Sequence, residues 1–440
     1  MQTLNPVTLQ LCDSDFTSNA VTINNYLIHL LSMKFAQNSQ KSFSRKFTLI
    51  ETLGSPLQIG SDNFHFARPN DVKLCYSTRC ILVSDTHNQR IQSFDLDTKI
   101  FKGTIHTPHW PQFLCVIESN LKYITTTTSF GKYANRKREN SEHDASVLVS
   151  CSDHCVYKYS IRKCIDSFQQ SNTMTKFLKS FVGTLIPQLK LTEYIWKSGI
   201  SGEDGNSLHH FSQPSSMALV EKQLFSHTNA SLFDKPLILP SWESQPSNSI
   251  TNDSSRSSEE DCKHSNESNW LVLVCDSLNH RIKVLNPTTG QALVAITHYH
   301  EMIQRMSGPQ LKLVRFFTPK FIVVSPHTQD ILFVENLKSS SRIVLLRQGD
   351  FSKNGIAHCV HVQEKSVTIK GLLGDLNVSG LMYIADRNGI SIRNVLGHLT
   401  DESPFNGNCE VYSPSGMCLN EHNGELHVVD YVYHTLQVFQ

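Results

Sequence analysis

The sequence has no long apolar run and no excess of charge of either sign. No stretch approaches the roughly 18 apolar residues that a membrane-spanning helix needs. The first residues, Met-Gln-Thr-Leu-Asn-Pro, lack the basic start and apolar run of a secretory signal. The 40 Lys and Arg residues balance 39 Asp and Glu residues, so no global field attracts nucleic acid or an anionic membrane. These absences predict a cytoplasmic protein without a membrane partner.

The chain is also poor in charged residues and in paired cysteines. Charged residues make up 18% of the sequence, below the roughly 25% of ordinary globular domains. Of the 12 cysteines, only Cys151 and Cys155 stand close together, and no second Cys or His pair at zinc spacing lies nearby. We therefore expect free thiols buried in strands, with no metal and no other cofactor.

What the sequence does contain is an internal repeat. Residues 81–94 (ILVSDTHNQRIQSF) and residues 272–285 (VLVCDSLNHRIKVL) each join a short apolar run to an alternating strand through Asp and Asn. The ungapped alignment pairs Val83 with Val274, Asp85 with Asp276, Asn88 with Asn279, Arg90 with Arg281 and Ile91 with Ile282. Such a repeat determines the architecture of a chain before local propensities do.

A Gly-spaced loop that ends in an aromatic residue and a proline precedes several of the repeats. Glycine permits the positive φ angles of a tight connection, and proline can start a strand without an N–H partner. These lead-in loops contain Gly54, Gly60, Phe66 and Pro69; Gly199, Gly202, Gly205, Phe211 and Pro214; Gly308, Phe317 and Pro319; and Gly407, Tyr412 and Pro414. Together with the strand pairs that follow, the pattern predicts six repeats.

Three stretches depart from this pattern. Residues 1–45 form an N-terminal extension, and the apolar spacing over 21–36 predicts a short helix there. Two loop insertions cover residues 125–144 and 221–269, each between the first and second strands of its repeat. The second insertion is so polar from residue 243 onward that we expect it to be largely disordered.

The repeated residues resemble the NHL repeat. The resemblance is carried by apolar-Val-x-Asp-x-x-Asn-x-Arg-Ile at 82–91 and 273–282, and by Phe-x-x-Pro at 66–69 and 211–214. NHL repeats form four-stranded blades, usually six to a ring. The resemblance therefore implies an all-β fold, a six-bladed NHL-type β-propeller over residues 46–440. The second repeat departs from the pattern, with Cys151 where Asp is expected, and the fourth and fifth repeats are degenerate.

The resemblance also implies how the ring closes. The chain ends just after the predicted third strand of the sixth blade, so that blade needs an outer strand from elsewhere. Residues 47–53 (FTLIETL) alternate apolar and polar side chains and have no partner within the first repeat. We predict that they supply the missing strand, because closure of this kind leaves only short, protected strand edges.

The motif Asp-x-x-Asn-x-Arg is typical of a reverse turn, where Asp accepts from turn N–H groups and Asn tolerates the left-handed conformation. In a propeller these turns share one face with the lead-in loops, and loops on a rigid scaffold are common binding sites. We predict a binding site on this turn face, formed by Asp85, His87, Asn88, Arg90, Asp276, Asn279, His280, Arg281, Arg387, Asn388, Tyr431 and Tyr433. For Asp85, Arg90, Asp276 and Arg281, a structural role within the turn is the alternative.

These features predict a non-enzymatic, monomeric scaffold that binds a protein or peptide partner through the turn face. No RING or B-box is expected, since the N-terminal segment has only Cys12. Some NHL propellers of the tripartite-motif group bind single-stranded RNA on a basic face, so RNA binding is an alternative. The carboxylates of Asp85, Asp276, Asp386 and Asp430 are expected to offset the arginines of this face.

A further alternative is a zinc-dependent lyase resembling the peptidylglycine amidating lyases, which are also six-bladed propellers. That resemblance implies a His directly after the proline at the start of some blades, as a ligand of a Lewis-acid zinc. Here Ser215 and Ser415 occupy two such positions. The sequence therefore predicts a binding protein in preference to an enzyme.

Overall fold

The computed structural model describes residues 41, 43–118, 145–166, 192–222, 269–305, 308–325, 330–337, 340–346, 358–365, 368–375, 381–387, 389–394, 399–402 and 411–440. The predicted N-terminal helix and the first predicted insertion lie outside these residues, and so does the second insertion except for residues 221, 222 and 269. Within them the chain is built almost entirely of β-strands. Helical structure there consists of two single 3-10 turns and a short segment at 161–166. None of it is long and apolar enough to cross a bilayer.

The strands form six sheets, one for each predicted repeat, and the chain begins with a separate strand, β1 (Leu49–Leu53). The first sheet contains β2 (Pro69–Cys75), β3 (Cys80–Asp85), β4 (Arg90–Asp95) and β5 (Phe101–His106). The second contains β6 (Pro111–Ile117), β7 (Ser146–Cys151), β8 (Val156–Ser160) and β9 (Trp196–Ser198). The third contains β10 (Pro214–Glu221), β11 (Trp270–Asp276), β12 (Arg281–Leu285) and β13 (Ala292–Ile296).

The fourth sheet is larger than the others. It contains β14 (His298–Arg305), β15 (Gly308–Arg315), β16 (Pro319–Val324), β17 (Ile331–Asn336), β18 (Ser341–Leu346) and β19 (His358–Lys365). The fifth contains β20 (Gly371–Asp375), β21 (Leu381–Asp386), β22 (Gly389–Asn394) and β23 (Leu399–Glu402). The sixth contains β24 (Pro414–Asn420), β25 (Glu425–Asp430) and β26 (Thr435–Phe439), and takes its fourth strand from β1.

The six sheets are the blades of a β-propeller. Consecutive blades are neighbours through their first strands, and β24 of blade six lies beside β2 of blade one. The ring is therefore closed, and the predicted fold class, an all-β six-bladed propeller, is confirmed.

The two ends of the repeat region close the ring, as the sequence predicts. β1 pairs antiparallel with β26, with Leu53 opposite Leu436 and Thr52 opposite Gln437. Two backbone hydrogen bonds between Thr48 and Gln440, of 3.1 and 2.9 Å, continue the ladder past the last strand. Blade six is thus assembled from residues at opposite ends of the described chain.

One feature of blade four was not predicted. β14 and β15 form a hairpin, and β14 joins the outer strand β19 in parallel, with His300 opposite His358. Gly308, predicted to lie in a lead-in loop, is instead the first residue of β15. The repeat pattern contains no signal for this hairpin, because none of the other five sheets has one among the described residues.

The hydrophobic core lies between the blades. Alternate side chains of one strand face opposite neighbours, so Ile81 and Val83 of β3 pack with blade six while Leu82 packs with blade two. All three are fully buried, and burial of an aliphatic side chain of this size stabilises a fold by about 1.5–3 kcal/mol. The period-2 alternation in the sequence therefore sets the packing of the whole ring.

The first strands approach one another most closely where glycine replaces a side chain. A Cβ on Gly416 of β24 would lie 2.4 Å from the Cα of Asp71 in β2, so no other residue fits without a backbone shift. Inside the ring, Phe113 of blade two meets Phe321 of blade four edge-on, with ring centroids 5.6 Å apart. These two blades are not adjacent, so the contact fills part of the central channel.

Candidate functional site on the turn face

The turn between β3 and β4 is held by a buried carboxylate. Asp85 accepts hydrogen bonds from the backbone N–H of Ala67 at 2.7 Å, from Asn88 Nδ2 at 2.8 Å and from Arg90 Nε at 2.7 Å. The other guanidinium nitrogens of Arg90 donate to the backbone carbonyls of Ser61, Asp62 and His65. The motif therefore holds the lead-in loop of its own blade against the turn.

Blade three repeats the same network. Asp276 accepts from the backbone N–H of Ser212 at 2.7 Å, from Asn279 Nδ2 at 2.9 Å and from Arg281 Nε at 2.6 Å. Arg281 also donates to the backbone carbonyls of Asn206, Ser207 and His210. Blades one and three thus hold their lead-in loops with equivalent hydrogen bonds.

This geometry supports the structural alternative for four of the predicted site residues. Asp85 and Asp276 are 0% exposed, and Arg90 and Arg281 are 5% and 7% exposed. Their hydrogen-bonding groups are directed into the protein, and a buried charge with several donors or acceptors is one that the fold requires. These four residues anchor the lead-in loops and present no surface to a partner.

Two details of the predicted turn need correction. In both blades the Asp carboxylate accepts from the lead-in loop and makes no capping hydrogen bond within its own 3-10 turn. The left-handed conformation falls on the residue after Asn, at Gln89 (φ 52°) and His280 (φ 54°). The Asn side chain is used instead to reach the lead-in loop, with Asn88 Nδ2 2.7 Å from the Gly60 carbonyl oxygen.

Blades four and six carry the same carboxylate contact in altered form. In blade four, Glu335 takes the Asp position: it accepts from the Phe317 N–H at 2.8 Å and pairs with Arg342. Burial raises the pKa of Glu335 above its ordinary value, and Arg342 opposes that shift. In blade six, Asp430 accepts from the backbone N–H groups of Tyr412 and Ser413. Of the acidic residues that make these contacts, Glu335 is the one that the sequence analysis did not name; its signal was a carboxylate next to the end of the second strand.

Blade two replaces the device. Cys151 stands opposite Pro111, where the other blades have an acidic residue, and the hydrogen bonds shift to Asp153. Its Oδ2 accepts from Tyr157 Oη and from Ser201 Oγ, both at 2.6 Å. Burial raises the pKa of the Cys151 thiol well above its usual value. The eight cysteines whose side chains the structure describes are all buried, free thiols, as predicted.

A histidine in the left-handed position fastens one blade to the next. Arg68 donates its N–H to His434 Nδ1 at 3.1 Å, Gln213 donates to His154 Nδ1 at 3.1 Å, and Thr318 donates to His280 Nδ1 at 3.0 Å. Each donor directly precedes the proline that starts the next first strand. These three histidines, here called the latch histidines, therefore span the junctions of blades six and one, two and three, and three and four.

The latch hydrogen bond determines which ring nitrogen of the histidine acts as an acceptor. Because Nδ1 of each latch histidine accepts a hydrogen bond from a backbone N–H, Nδ1 carries no proton in this arrangement. Burial lowers the pKa of His434 below its ordinary value, and the nearby Arg68 guanidinium lowers it further. His280 was predicted as a binding residue, and its Nδ1 is already used in this hydrogen bond between blades three and four.

Three stacked pairs of aromatic side chains lie on the same face. Trp110 lies parallel to His87 with ring centroids 5.2 Å apart, and Phe317 lies parallel to His280 at the same distance. A third pair stacks Tyr412 on Tyr433 at 5.5 Å. The outer members Trp110, Phe317 and Tyr412 are 47%, 42% and 63% exposed. Large aromatic rings held rigidly at a surface are typical of binding sites.

The remaining predicted site residues fall into three groups. His87 and Arg387 are exposed, whereas Asn88, Asn279, Tyr431 and Tyr433 are half-buried. The Arg68 guanidinium lies over the Tyr431 ring, 5.8 Å from its centroid. Asn388 lies outside the described residues. The structure therefore keeps His87, Tyr431, Tyr433 and Arg387 on the turn face, and adds Trp110, Phe317 and Tyr412, which the sequence analysis did not select for binding.

The predicted offset of the arginines by carboxylates holds for two of them. Asp85 pairs with Arg90 at 2.7 Å, and Asp276 pairs with Arg281 at 2.6 Å. Asp85, Asp276 and Asp430 are 0% exposed, and Asp386 is 6% exposed. These four carboxylates therefore lie beneath the surface on which Arg387 is exposed.

Lys283 is a second buried cation behind the turn of blade three. Its side chain is fully buried, with Nζ 2.9 Å from the Leu208 carbonyl oxygen and 3.8 Å from the Phe211 ring centroid. Burial lowers its pKa to about 7, and Asp276 opposes that shift. In blade one, Gln92 stands at the same register and donates to the His65 carbonyl oxygen at 2.9 Å. Lys283 and Gln92 thus both donate hydrogen bonds to carbonyls of their lead-in loops.

Comparison with known proteins does not identify a family for this chain. No protein-family model matches the chain, and no curated protein matches it. Among solved structures, the hydrazine synthase of Kuenenia stuttgartiensis is similar over 83% of this chain and 74% of that chain, with 7% sequence identity and a TM-score of 0.44. In the described part of this chain, no three His, Cys, Asp or Glu side chains converge as a metal-binding group.

Proposed function

We propose that this protein is a non-enzymatic interaction scaffold that binds a protein or peptide partner through the turn face of an NHL-type propeller. The observation that carries the proposal is the set of three exposed aromatic rings, Trp110, Phe317 and Tyr412, each stacked on a second ring of the same face. Their geometry is fixed before any partner arrives, so little side-chain entropy is lost on binding.

The rigidity of the scaffold supports the same proposal. The lead-in loops beneath the aromatic rings are tied down by the networks of Asp85 and Asp276, and the latch histidines connect neighbouring blades. Binding residues on a rigid support are the usual arrangement in interaction domains. A cytoplasmic, monomeric protein of this kind would present one preformed surface to its partner.

The test is quantitative affinity capture from native lysate, with and without nuclease, using a triple variant: Trp110→Ala, Phe317→Ala and Tyr412→Ala. We expect specific partners of the wild-type chain to be depleted at least about tenfold, because exposed aromatic anchors dominate binding energy. The melting temperature should stay nearly constant, since all three side chains are exposed.

A matched control separates this site from general surface stickiness. Ile100, Ile195 and Leu313 are 67%, 54% and 51% exposed and lie away from the turn face, on connections to outer strands or on the added hairpin. Alanine at these three positions should leave capture unchanged. Equal loss in both triple variants would contradict the proposed site, and a capture lost on nuclease treatment would favour RNA as the ligand.

A further inference from the structure

We propose that the partner segment bound by this face is acidic, and that it docks at the mouth of the central channel. The inference rests on the proposed function and adds the chemistry of the ligand. The channel mouth is defined here as the starts of the six first strands, at Arg68 to Asn70, Pro111, Pro214, Lys320, Lys370 and Pro414.

Three basic side chains surround this mouth and are exposed. Arg68 directly precedes β2, Lys320 is the second residue of β16, and Lys370 directly precedes β20. They belong to blades one, four and five, so they approach the channel from opposite sides of the ring. Arg387, on the turn after β21 in blade five, is the fourth exposed cation of this set.

Among the side chains that the structure describes, no exposed carboxylate lies beside these cations at the mouth. The acidic residue at or next to the end of the second strand is buried in blades one, three, four and six: Asp85, Asp276, Glu335 and Asp430 are all 0% exposed and bonded to the lead-in loops. Asp71, deeper in the channel, is 3% exposed and already paired with Lys73 at 2.8 Å. The exposed charges at the mouth are therefore positive, among the described side chains.

The cations are held in place by contacts that do not neutralise them. The Arg68 guanidinium lies over Tyr431, and Lys370 Nζ donates to Ser413 Oγ at 3.0 Å across the junction of blades five and six. An aromatic face and a hydroxyl orient a cation without cancelling its charge, which leaves the charge available to an anionic ligand.

The distribution of charge favours a short acidic peptide over a long polyanion. Asp62, Glu203 and Asp204 are exposed on the lead-in loops, which contact Arg90 and Arg281 at the starts of the third strands. A nucleic acid strand crossing the face would bring its phosphates close to these carboxylates, within a Debye length of about 8–10 Å. A segment with a few central carboxylates meets only the cations, and its flanking apolar residues reach Trp110, Phe317 and Tyr412.

The channel below the mouth limits how such a segment lies. Phe113 and Phe321 meet inside the ring with centroids 5.6 Å apart, and each is at most 7% exposed. A peptide therefore rests across the mouth with its acidic side chains directed toward the cations. This arrangement uses backbone loops and exposed rings that are already in position.

The experiment uses the full chain and a defined probe, a fluorescein-labelled decapeptide of alternating Glu and Phe, followed by fluorescence anisotropy. We expect at least about tenfold tighter binding than for the same peptide with Gln in place of Glu, and a clear loss of affinity with added salt. The double variant Lys320→Glu with Lys370→Glu should weaken binding of the Glu peptide at least about tenfold.

Two exposed lysines away from the mouth provide the matched control. Lys41 and Lys197 lie before β1 and in the outer strand β9, and their double replacement by Glu changes the net charge equally. This variant should bind the Glu peptide as tightly as the wild type. Equal weakening in the two double variants would show a non-local charge effect and overturn the inference.

Other outcomes also decide the question. Equal affinity for the Glu and Gln peptides, no binding of the Glu peptide, or tighter binding of a labelled decauridine than of the peptide would each refute an acidic peptide ligand. The proposed scaffold function would survive these results if the Trp110, Phe317 and Tyr412 variant still lost its captured partners. The two proposals therefore fail separately.

Discussion

Arg281 and Asp276 lie five residues apart and meet across 2.6 Å, with both side chains buried behind the turn of blade three. Arg90 and Asp85 make the same contact at 2.7 Å in blade one. In each pair the arginine also donates hydrogen bonds to three backbone carbonyls of its lead-in loop. The pair is thus the point at which one turn and one long loop become a single rigid unit.

Replacing Arg281 with Ala should destabilise the protein by about 3–5 kcal/mol, because it leaves the buried Asp276 charge without its partner. Denaturant unfolding at neutral pH measures the effect. The control is Arg79→Ala, which removes a pair with Asp97 whose side chains are 60% and 55% exposed. Exposed pairs contribute about 0–1 kcal/mol. Similar losses in the two variants would show that the buried network has no special weight.

His434→Gln should flatten the acid side of the stability profile. Burial holds the folded pKa of His434 below its ordinary value, so its contribution to stability is complete above about pH 6.5 and is lost as pH falls through the folded pKa. Melting temperatures between about pH 7.5 and pH 5 provide the measurement. The wild type should lose more stability than His434→Gln over that window. A parallel fall in both chains would exclude His434 as the titrating latch.

His209 provides the control for that measurement, because it is exposed and lies one residue from a half-buried His210 on the same lead-in loop. His209→Gln should follow the wild-type curve. Glutamine is also a natural occupant of the latch position, since Gln89 has the same left-handed conformation in blade one.

Lys283→Gln should remove a pH dependence on the alkaline side. Because burial lowers the pKa of Lys283 to about 7, the unfolded chain binds a proton between about pH 7 and 10.5 that the folded chain does not. Wild-type stability should therefore fall by about 1.4 kcal/mol per unit as pH decreases through that range, relative to the variant. Urea unfolding at about pH 7.5 and pH 9 tests this.

The variant should itself fold well, since Gln92 fills the same register in blade one. Lys283→Met is the contrast: it removes the lysine donor to the Leu208 carbonyl and one of the two donors to the His210 carbonyl, and should cost about 1–3 kcal/mol. A wild-type profile with the same slope as Lys283→Gln would argue that Lys283 stays charged when folded.

A disulfide across the closing strands should form and stabilise the ring. Thr52 and Gln437 are directly opposite one another on β1 and β26, so Thr52→Cys with Gln437→Cys should cross-link under mild oxidation. Closing so long a loop can add up to about 5 kcal/mol in the chain-entropy model. Intact mass, non-reducing electrophoresis and the melting temperature, each with and without reductant, measure the result.

The single cysteine variants are the controls for this cross-link. The eight described thiols compete little because all are buried, and burial raises the pKa of Cys75 to about 11 and that of Cys115 to about 12. Failure of the double variant to cross-link, with the fold intact by circular dichroism, would contradict the pairing of β1 with β26.

The architecture was predictable because it rests on features that repeat. The period-2 alternation and the Asp-x-x-Asn-x-Arg motif define a blade, and one unpaired strand at residues 47–53 implies the closure that β1 and β26 make. The hairpin of β14 and β15 occurs in a single blade, so no repeated pattern could reveal it. Repetition predicts what is common to the blades and is silent on what is particular to one.

The candidate site was predictable only in part, because the sequence does not give exposure. Asp85 and His87 are two residues apart on one turn, yet Asp85 is 0% exposed and His87 is open to solvent. Trp110 and Phe317 precede the prolines that start first strands, and nothing in their local sequence shows that they stack on histidines of the preceding blade. Contacts between blades determine which motif residues face a partner.

The pairing of β1 with β26 has a consequence for synthesis on the ribosome. β1 is the first described strand to emerge and its partner is the last, separated by roughly 380 residues. At about 5–20 residues per second, β1 waits roughly 20–80 seconds for β26. Blades one to five can assemble in order during that time, but the disc cannot close until β26 has been synthesised.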